Sequence, residues 1–287
     1  MLIDEEVKDI EPCLAEQVNY PNIKQSMGLG LYFLLFSVVT AIPLIIIKTT
    51  DHPDKSTSSL ITLLSYSAAI LGVIGVGLKK IKQFEGISYK IKLNKVALIP
   101  IVVGVVMVLT MPVLTAPINI LWPMSDKWKK IFAELSDPNL FTIIMGIVAA
   151  PILEEILFRG IILNGLLKNY SPQKAIIVSA AIFGLVHLNP WQAIPAFLGG
   201  LLMGWMYWKT NSIIPGMLIH FANNLFSILL SSAFKNTDSL NQLVSTPVYI
   251  ALFVICAAIA IGGWMFLEKY FEYNPTLGDE EAALGKV

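Results

Sequence analysis

Ten residues near the middle of the chain, Pro151-Ile-Leu-Glu154-Glu155-Ile-Leu-Phe-Arg159-Gly160, place two adjacent carboxylates and a guanidinium inside an apolar stretch running from Phe141 to Leu167. Each charge at the centre of a membrane-length segment costs roughly 2.5–3.5 kcal/mol on insertion scales, so such groups point first to function. Arg159 is the one arginine in the chain; the other 19 basic residues are lysines. Glu155 and Arg159 are four apart with the acid first, the favoured order for a helical ion pair, and read as an internal brace. Glu154 is rotated about 100° from Glu155 and has no partner on its own helix. A carboxylate so placed suits the role of a general base.

Two of the three histidines also fall in apolar spans. His187 closes Phe183-Gly-Leu-Val-His187, where the i, i+4 spacing lets Phe183 wall a cavity and fix the imidazole. His220 opens His220-Phe-Ala-Asn223-Asn224, where His220 and Asn224 share a face as two hydrogen-bond donors. Two donors facing a base resemble an oxyanion hole; Asn223, about 100° away, is the rival donor. His52 sits in a polar loop and reads as solvated. Glu154, His187 and His220 would also suit a catalytic zinc or another divalent metal with one open position. There is no His-Glu-x-x-His helix, however, and Asn224 is a poor metal ligand, so the spacing leaves metal-dependent and metal-free water activation open, with a preference for Glu154 and His187 acting directly. No Gly-x-Ser-Gly lies in a span, and the aspartates stay in tails and loops, so serine and aspartyl intramembrane chemistries fit worse.

These residues need a scaffold that brings three helices to one depth. The chain has 287 residues, 55% hydrophobic and 14% charged, against about 25% charged in soluble domains. The fold class expected is all-α: a polytopic membrane bundle of about eight helices over Met27–Ile47, Leu60–Leu78, Val96–Leu114, Phe141–Leu167, Ala175–Leu188, Trp191–Trp208, Ser212–Phe234 and Val248–Leu267. Residues 1–26 and 269–287 read as polar tails flanking a membrane domain at 27–268, and no cleavable signal peptide is expected. Counted from the lysine-rich ends of their helices at 1.5 Å per residue, Glu154 lies at about 20 Å and both His187 and Asn224 at about 18 Å. Pro151 is expected to kink its helix and open room for a water.

The loop between the second and third helices holds Lys79, Lys80, Lys82, Lys90, Lys92 and Lys95. With that loop in the cytoplasm both termini are inside, and the lysines divide 13 inside to 6 outside, although Lys127, Lys129 and Lys130 cluster on the outer side. Gly200 and Gly204, and Ala180 and Gly184, form small-xxx-small faces suited to close helix packing. Cys13 and Cys256 lie far apart in the pattern and imply neither a disulfide nor a metal cluster. With zero net charge and nothing basic and clustered enough for nucleic acid apart from that loop, nucleic acid is not an expected partner.

Glu154-Glu155-x-x-x-Arg159, Phe183-x-x-x-His187 and His220-x-x-x-Asn224 resemble, in order and spacing, the three motifs of the CAAX protease and bacteriocin-processing family, also called Abi or type II CAAX prenyl endopeptidases. The resemblance covers about residues 140–230. It implies an intramembrane endopeptidase in which Glu154 and His187 activate water, His220 and Asn224 stabilise the oxyanion, and Glu155 and Arg159 support them. Eukaryotic members act on prenylated proteins, and bacterial members are tied to bacteriocin self-immunity and peptide processing. The expected partners are therefore a peptide or protein substrate, lipidated in part of the family, and the lipid bilayer of a bacterial cell membrane. The family is often labelled metalloprotease, although a metal-free glutamate mechanism is also argued. The competing readings are a non-catalytic binding or bacteriocin-immunity protein and a proton-coupled transporter; no internal repeat supports the latter.

Overall fold

The computed structural model describes residues 19–50, 53–130, 139–234 and 243–275. Most of both predicted tails, Cys13 and His52 lie outside the described residues. Eight helices carry the architecture: α1 (Ile23–Thr50), α2 (Lys55–Glu85), α3 (Leu98–Thr115, interrupted at Leu109–Thr110), α4 (Leu140–Asn169), α5 (Pro172–Leu185), α6 (Pro190–Thr210), α7 (Ile214–Ala233) and α8 (Thr246–Tyr273). A four-residue turn of helix, Ile118–Leu121, follows α3. Among the described residues there is no strand, only an isolated bridge between Leu93 and Ser212.

Six of these helices, all but α5 and α6, are long and apolar enough to cross a membrane. Their apolar residues face outward as well as inward: Val38 on α1 is 68% exposed and Val254 on α8 is 60% exposed, while Arg159 is 1% exposed and Glu155 fully buried. An apolar exterior around buried charge is the arrangement of a chain solvated by lipid. This is an integral membrane protein.

Local chemistry sets the ends of the helices. Asp54 caps α2 by accepting the Thr57 N–H at 2.7 Å, and the Thr57 N–H and hydroxyl hold its carboxyl below the usual carboxylate range. Gly86 ends α2 in the left-handed region at φ 69°, where it returns its N–H to the Lys82 carbonyl. Asn189 caps α6 through the Gln192 N–H at 2.9 Å.

The α5–α6 hairpin packs closely for the reason its small residues suggest. A Cβ added at Gly200 would lie 3.1 Å from the Ala180 Cβ, and one at Gly184 would lie 2.7 Å from the Ala193 carbonyl oxygen. α5 has 14 residues, about 21 Å, shorter than the ~30 Å core of a bilayer. The turn that follows it therefore sits within the thickness of the membrane, where irregular backbone is tolerated if it lines a cavity.

The bundle has two distinct ends. At one, the Glu85 carboxylate takes the Tyr20 N–H at 3.0 Å and the Lys168 ammonium at 2.6 Å. The chain at 92–94 pairs there with the α6–α7 turn through Ile213 N–H to Lys92 O and Ser212 Oγ to Asn94 O. At the other end, Trp191 Nε1 donates to the Trp122 carbonyl at 2.8 Å, the Tyr249 hydroxyl donates to the Val113 carbonyl at 3.0 Å, and Asn139 Nδ2 donates to Ser59 Oγ.

Candidate active site

α4 is not a continuous α-helix. It opens with an α-helical turn at Leu140–Ile143, widens to a π-helical stretch at Ile144–Ala149, is α-helical over Ala150–Glu155, and turns π-helical again over Ile156–Leu163. Pro151 has no N–H to give, and its ring crowds the carbonyl four residues back, so the chain widens before it. Widened turns of this kind concentrate at functional sites. Two widened turns flank the Glu154-Glu155 pair.

The ion pair forms on this helix. Arg159 Nη1 sits 2.5 Å from Glu155 Oε1, with both side chains sealed from solvent. Arg159 Nη2 donates to the Gly200 carbonyl at 3.2 Å, and the guanidinium lies 4.7 Å from the centre of the Phe183 ring. Phe183 also meets Phe158, His187 and His220 edge-on, with centroids 4.9, 5.4 and 5.8 Å away. One aromatic ring on α5 thus touches groups from α4, α7 and the α5–α6 turn, a wider role than walling the cavity.

Gly216 on α7 makes this packing possible, because any Cβ there would overlap the Glu155 carboxylate. We expect Gly216→Ala to lower stability by about 1–3 kcal/mol, the cost of overpacking a filled core. Thermal unfolding in detergent reads it, and an unchanged midpoint would show that Glu155 can move aside freely.

His187 does not share a helical face with Phe183 as the spacing suggests. α5 stops at Leu185, and His187 lies in the turn, held because Leu188 takes the left-handed region at φ 57° and Asn189 Nδ2 donates to the His187 carbonyl at 2.8 Å. The imidazole still reaches Phe183 by another route: Nδ1 is 2.8 Å from the Phe183 carbonyl. A carbonyl only accepts, so Nδ1 carries the hydrogen and a neutral His187 presents a bare Nε2.

His220 stands between the two glutamates, with Nε2 at 3.8 Å from Glu154 Oε2 and Nδ1 at 3.4 Å from Glu155 Oε1. Asn224 Nδ2 donates to the Gly146 carbonyl at 2.8 Å, inside the first π-helical stretch, while its oxygen accepts from Asn223 Nδ2 at 3.1 Å. The two asparagines are hydrogen-bonded to each other.

Glu154 has a partner that its own helix does not show. The Tyr66 hydroxyl, from α2, donates to Glu154 Oε1. The available signal is a single phenol in α2, flanked by Ser65 and Ser67 and 88 residues from its acceptor.

Glu154, Phe183, His187, His220, Asn223 and Asn224 all border one cavity of about 470 Å³. Three helices and a turn therefore deliver the predicted residues to one place. The conditional metal set is not gathered in the same way: among the described residues no group of three or more His, Cys, Asp or Glu is placed to hold a metal ion.

Residues 136–226 match the protein-family model described as Rce1-like, Type II CAAX prenyl endopeptidase, which bears out the resemblance drawn from the three motifs. The chain is 31% identical over 102 residues to UPF0177 protein YxdF of Lactococcus lactis subsp. lactis (strain IL1403), covering 35% of this chain and 54% of that protein. It is 31% identical over 88 residues to "Putative membrane peptidase YdiL" of Bacillus subtilis (strain 168), covering 31% of this chain and 36% of that protein. The chain thus spans about half or less of the length of these curated relatives. No solved structure matches it.

Proposed function

We propose that this protein is an intramembrane endopeptidase of the CAAX-protease type that hydrolyses a peptide bond with water activated by Glu154. The observation that carries this reading is the meeting of Glu154, His187, His220 and Asn224 around one cavity within a lipid-solvated bundle. The family match over 136–226 supports it, because that segment holds all four residues.

The chemistry follows from the atoms available. Glu154 Oε1 is occupied by Tyr66, which leaves Oε2 toward His220 and the cavity as the basic oxygen. Water held between Oε2 and the bare Nε2 of His187 gives its proton to Glu154 as its oxygen attacks the scissile carbonyl carbon. The carbonyl oxygen becomes an oxyanion, which His220 and the second amide hydrogen of Asn224 receive; the first is fixed on Gly146. Glu154 then returns the proton to the amine as the C–N bond breaks. No step is routed through a metal. A substrate with a prenyl or other lipid group belongs to this proposal only as one member of the peptide class.

The test is mass spectrometry of new peptide termini in membranes and medium from cells expressing the wild type or Glu154→Gln. Termini that appear only with the wild type are expected. Identical sets, with the cellular effect of the protein retained by Glu154→Gln, would favour the non-catalytic binding or immunity reading.

On a substrate found this way, His187→Ala is expected to abolish measurable cleavage. Asn224→Ala should leave a residue of activity, about 10²–10³-fold reduced, the usual cost of one oxyanion donor. Equal rates for Asn224→Ala and wild type would remove Asn224 from the chemistry.

A further inference from the structure

We infer that the site takes its peptide from the extracytoplasmic side of the membrane, and that the segment admitted is uncharged. The inference builds on the endopeptidase reading and adds the side of entry and the kind of chain that enters.

The direction of the cavity supplies the first part. Its walls step away from Glu154 along three helices toward the same end of the bundle. On α7 they run from His220 to Ser231, and on α6 from Met203 back to Trp191. These are paths of 11 and 12 residues, about 17 and 18 Å. On α3 they run from Val108 to Thr115, and Met124 lies beyond. That is the end where Trp191 is bonded to Trp122.

Toward the opposite end the site is closed. Ile161, Leu163 and Leu166 of α4 and Met206 of α6 have no exposure at all. Tyr207 seals the gap between these helices by donating to Asn164 Oδ1 at 3.0 Å. Packing at interior density leaves no passage for a peptide.

Lysine placement supplies the orientation. The closed end carries the loop with Lys79, Lys80, Lys82, Lys90, Lys92 and Lys95, and with it 11 of the 16 lysines among the described residues. Loops this short follow the positive-inside rule, so the closed end is cytoplasmic and the open end is outside. The cluster Lys127, Lys129 and Lys130 lies at the open end and narrows the bias without reversing it.

The lining sets the substrate class. Among the described residues, Glu154 and the two histidines are the only ionisable side chains that border the cavity. Met111, Pro112, Pro195 and Ala196 give an apolar wall, and Ser227 and Ser231 give hydroxyls that can meet a peptide backbone. A charged side chain in this channel would be desolvated without a partner.

The experiment is thiol labelling of the full chain with Cys13 and Cys256 replaced by serine. Ser227→Cys places a thiol in the cavity wall, and Lys90→Cys places one in the lysine loop. A membrane-impermeant maleimide is added to right-side-out and to inverted vesicles. Ser227→Cys is expected to react at least tenfold faster in right-side-out vesicles, and Lys90→Cys at least tenfold faster in inverted ones. Reaction of both thiols from one side, a reversed pattern, or a Ser227→Cys thiol silent from either side overturns the inference. Labelling needs no turnover, so a catalytically silent protein would sink the endopeptidase reading and leave the side of access standing.

Discussion

Glu154→Gln is expected to cut peptide hydrolysis by about 10³-fold, within the range that a positioned general base contributes, while the bundle melts as the wild type does. Glutamine keeps the volume of the side chain and an oxygen for the Tyr66 hydroxyl, so the Tyr66–Glu154 contact survives in form. What it loses is the ability to take a proton at the oxygen facing His220 and the cavity. The expected signature is therefore a fall in kcat with little change in KM, because substrate binding uses the walls and not the carboxylate. Tyr66→Phe makes the complementary case. It frees Oε1 and lets the carboxylate rotate, which should lower kcat about tenfold and leave KM in place. A Glu154→Gln protein that folds and turns over peptide normally would end the endopeptidase mechanism. A Tyr66→Phe protein with wild-type kcat would show that the packing of α4 alone orients Glu154.

The parts of this site legible in the sequence are those written in local spacing. A four-residue step from an acid to a base on one helix is enough to predict the Glu155–Arg159 pair, and apolar runs are enough to predict where the helices lie, although only six of them are long and apolar enough to cross a membrane. Counting residues from the helix ends also points to Glu154, His187 and Asn224 meeting, and all three border one cavity.

The parts not legible depend on tertiary contact or on backbone departures from ideal geometry. Tyr66 reaches Glu154 across 88 residues, and no local periodicity encodes that meeting. The π-helical stretch at Ile144–Ala149 presents the Gly146 carbonyl to Asn224, and a side-chain pattern carries no record of a carbonyl. His187 falls outside its helix because Asn189 is a strong cap for the next one, and the cap claims the turn that the apolar pattern assigns to α5.

Removing either member of the buried ion pair should do more damage to the fold than any other single change in the site. In Glu155→Ala the Arg159 guanidinium keeps only the Gly200 carbonyl and the Phe183 ring, with 1% of its surface exposed. In Arg159→Met the Glu155 carboxylate is left fully buried beside His220, with no cation fixed on it. Breaking a buried pair by deleting one partner costs about 3–5 kcal/mol, because the remaining charge has no water to return to. Unfolding in mixed detergent micelles should show that loss for each single variant. The double variant Glu155→Met with Arg159→Met is the informative one. It removes both charges and fills a similar volume, and replacing a buried pair with apolar groups is often close to neutral. Recovery of most of the stability in the double variant is therefore expected, and a double-mutant cycle would assign the difference to the pair itself. If the double variant also recovers cleavage, the pair serves only to hold α4 against α6. If it folds but cleaves poorly, the pair also sets where Glu154 and His220 stand. The second outcome is the one expected, because His220 Nδ1 faces Glu155 Oε1 at 3.4 Å and loses that neighbour when the carboxylate is gone. Single variants that lose less than about 1 kcal/mol would mean that the charges find water or lipid headgroups in the folded state, and the brace would have to be abandoned.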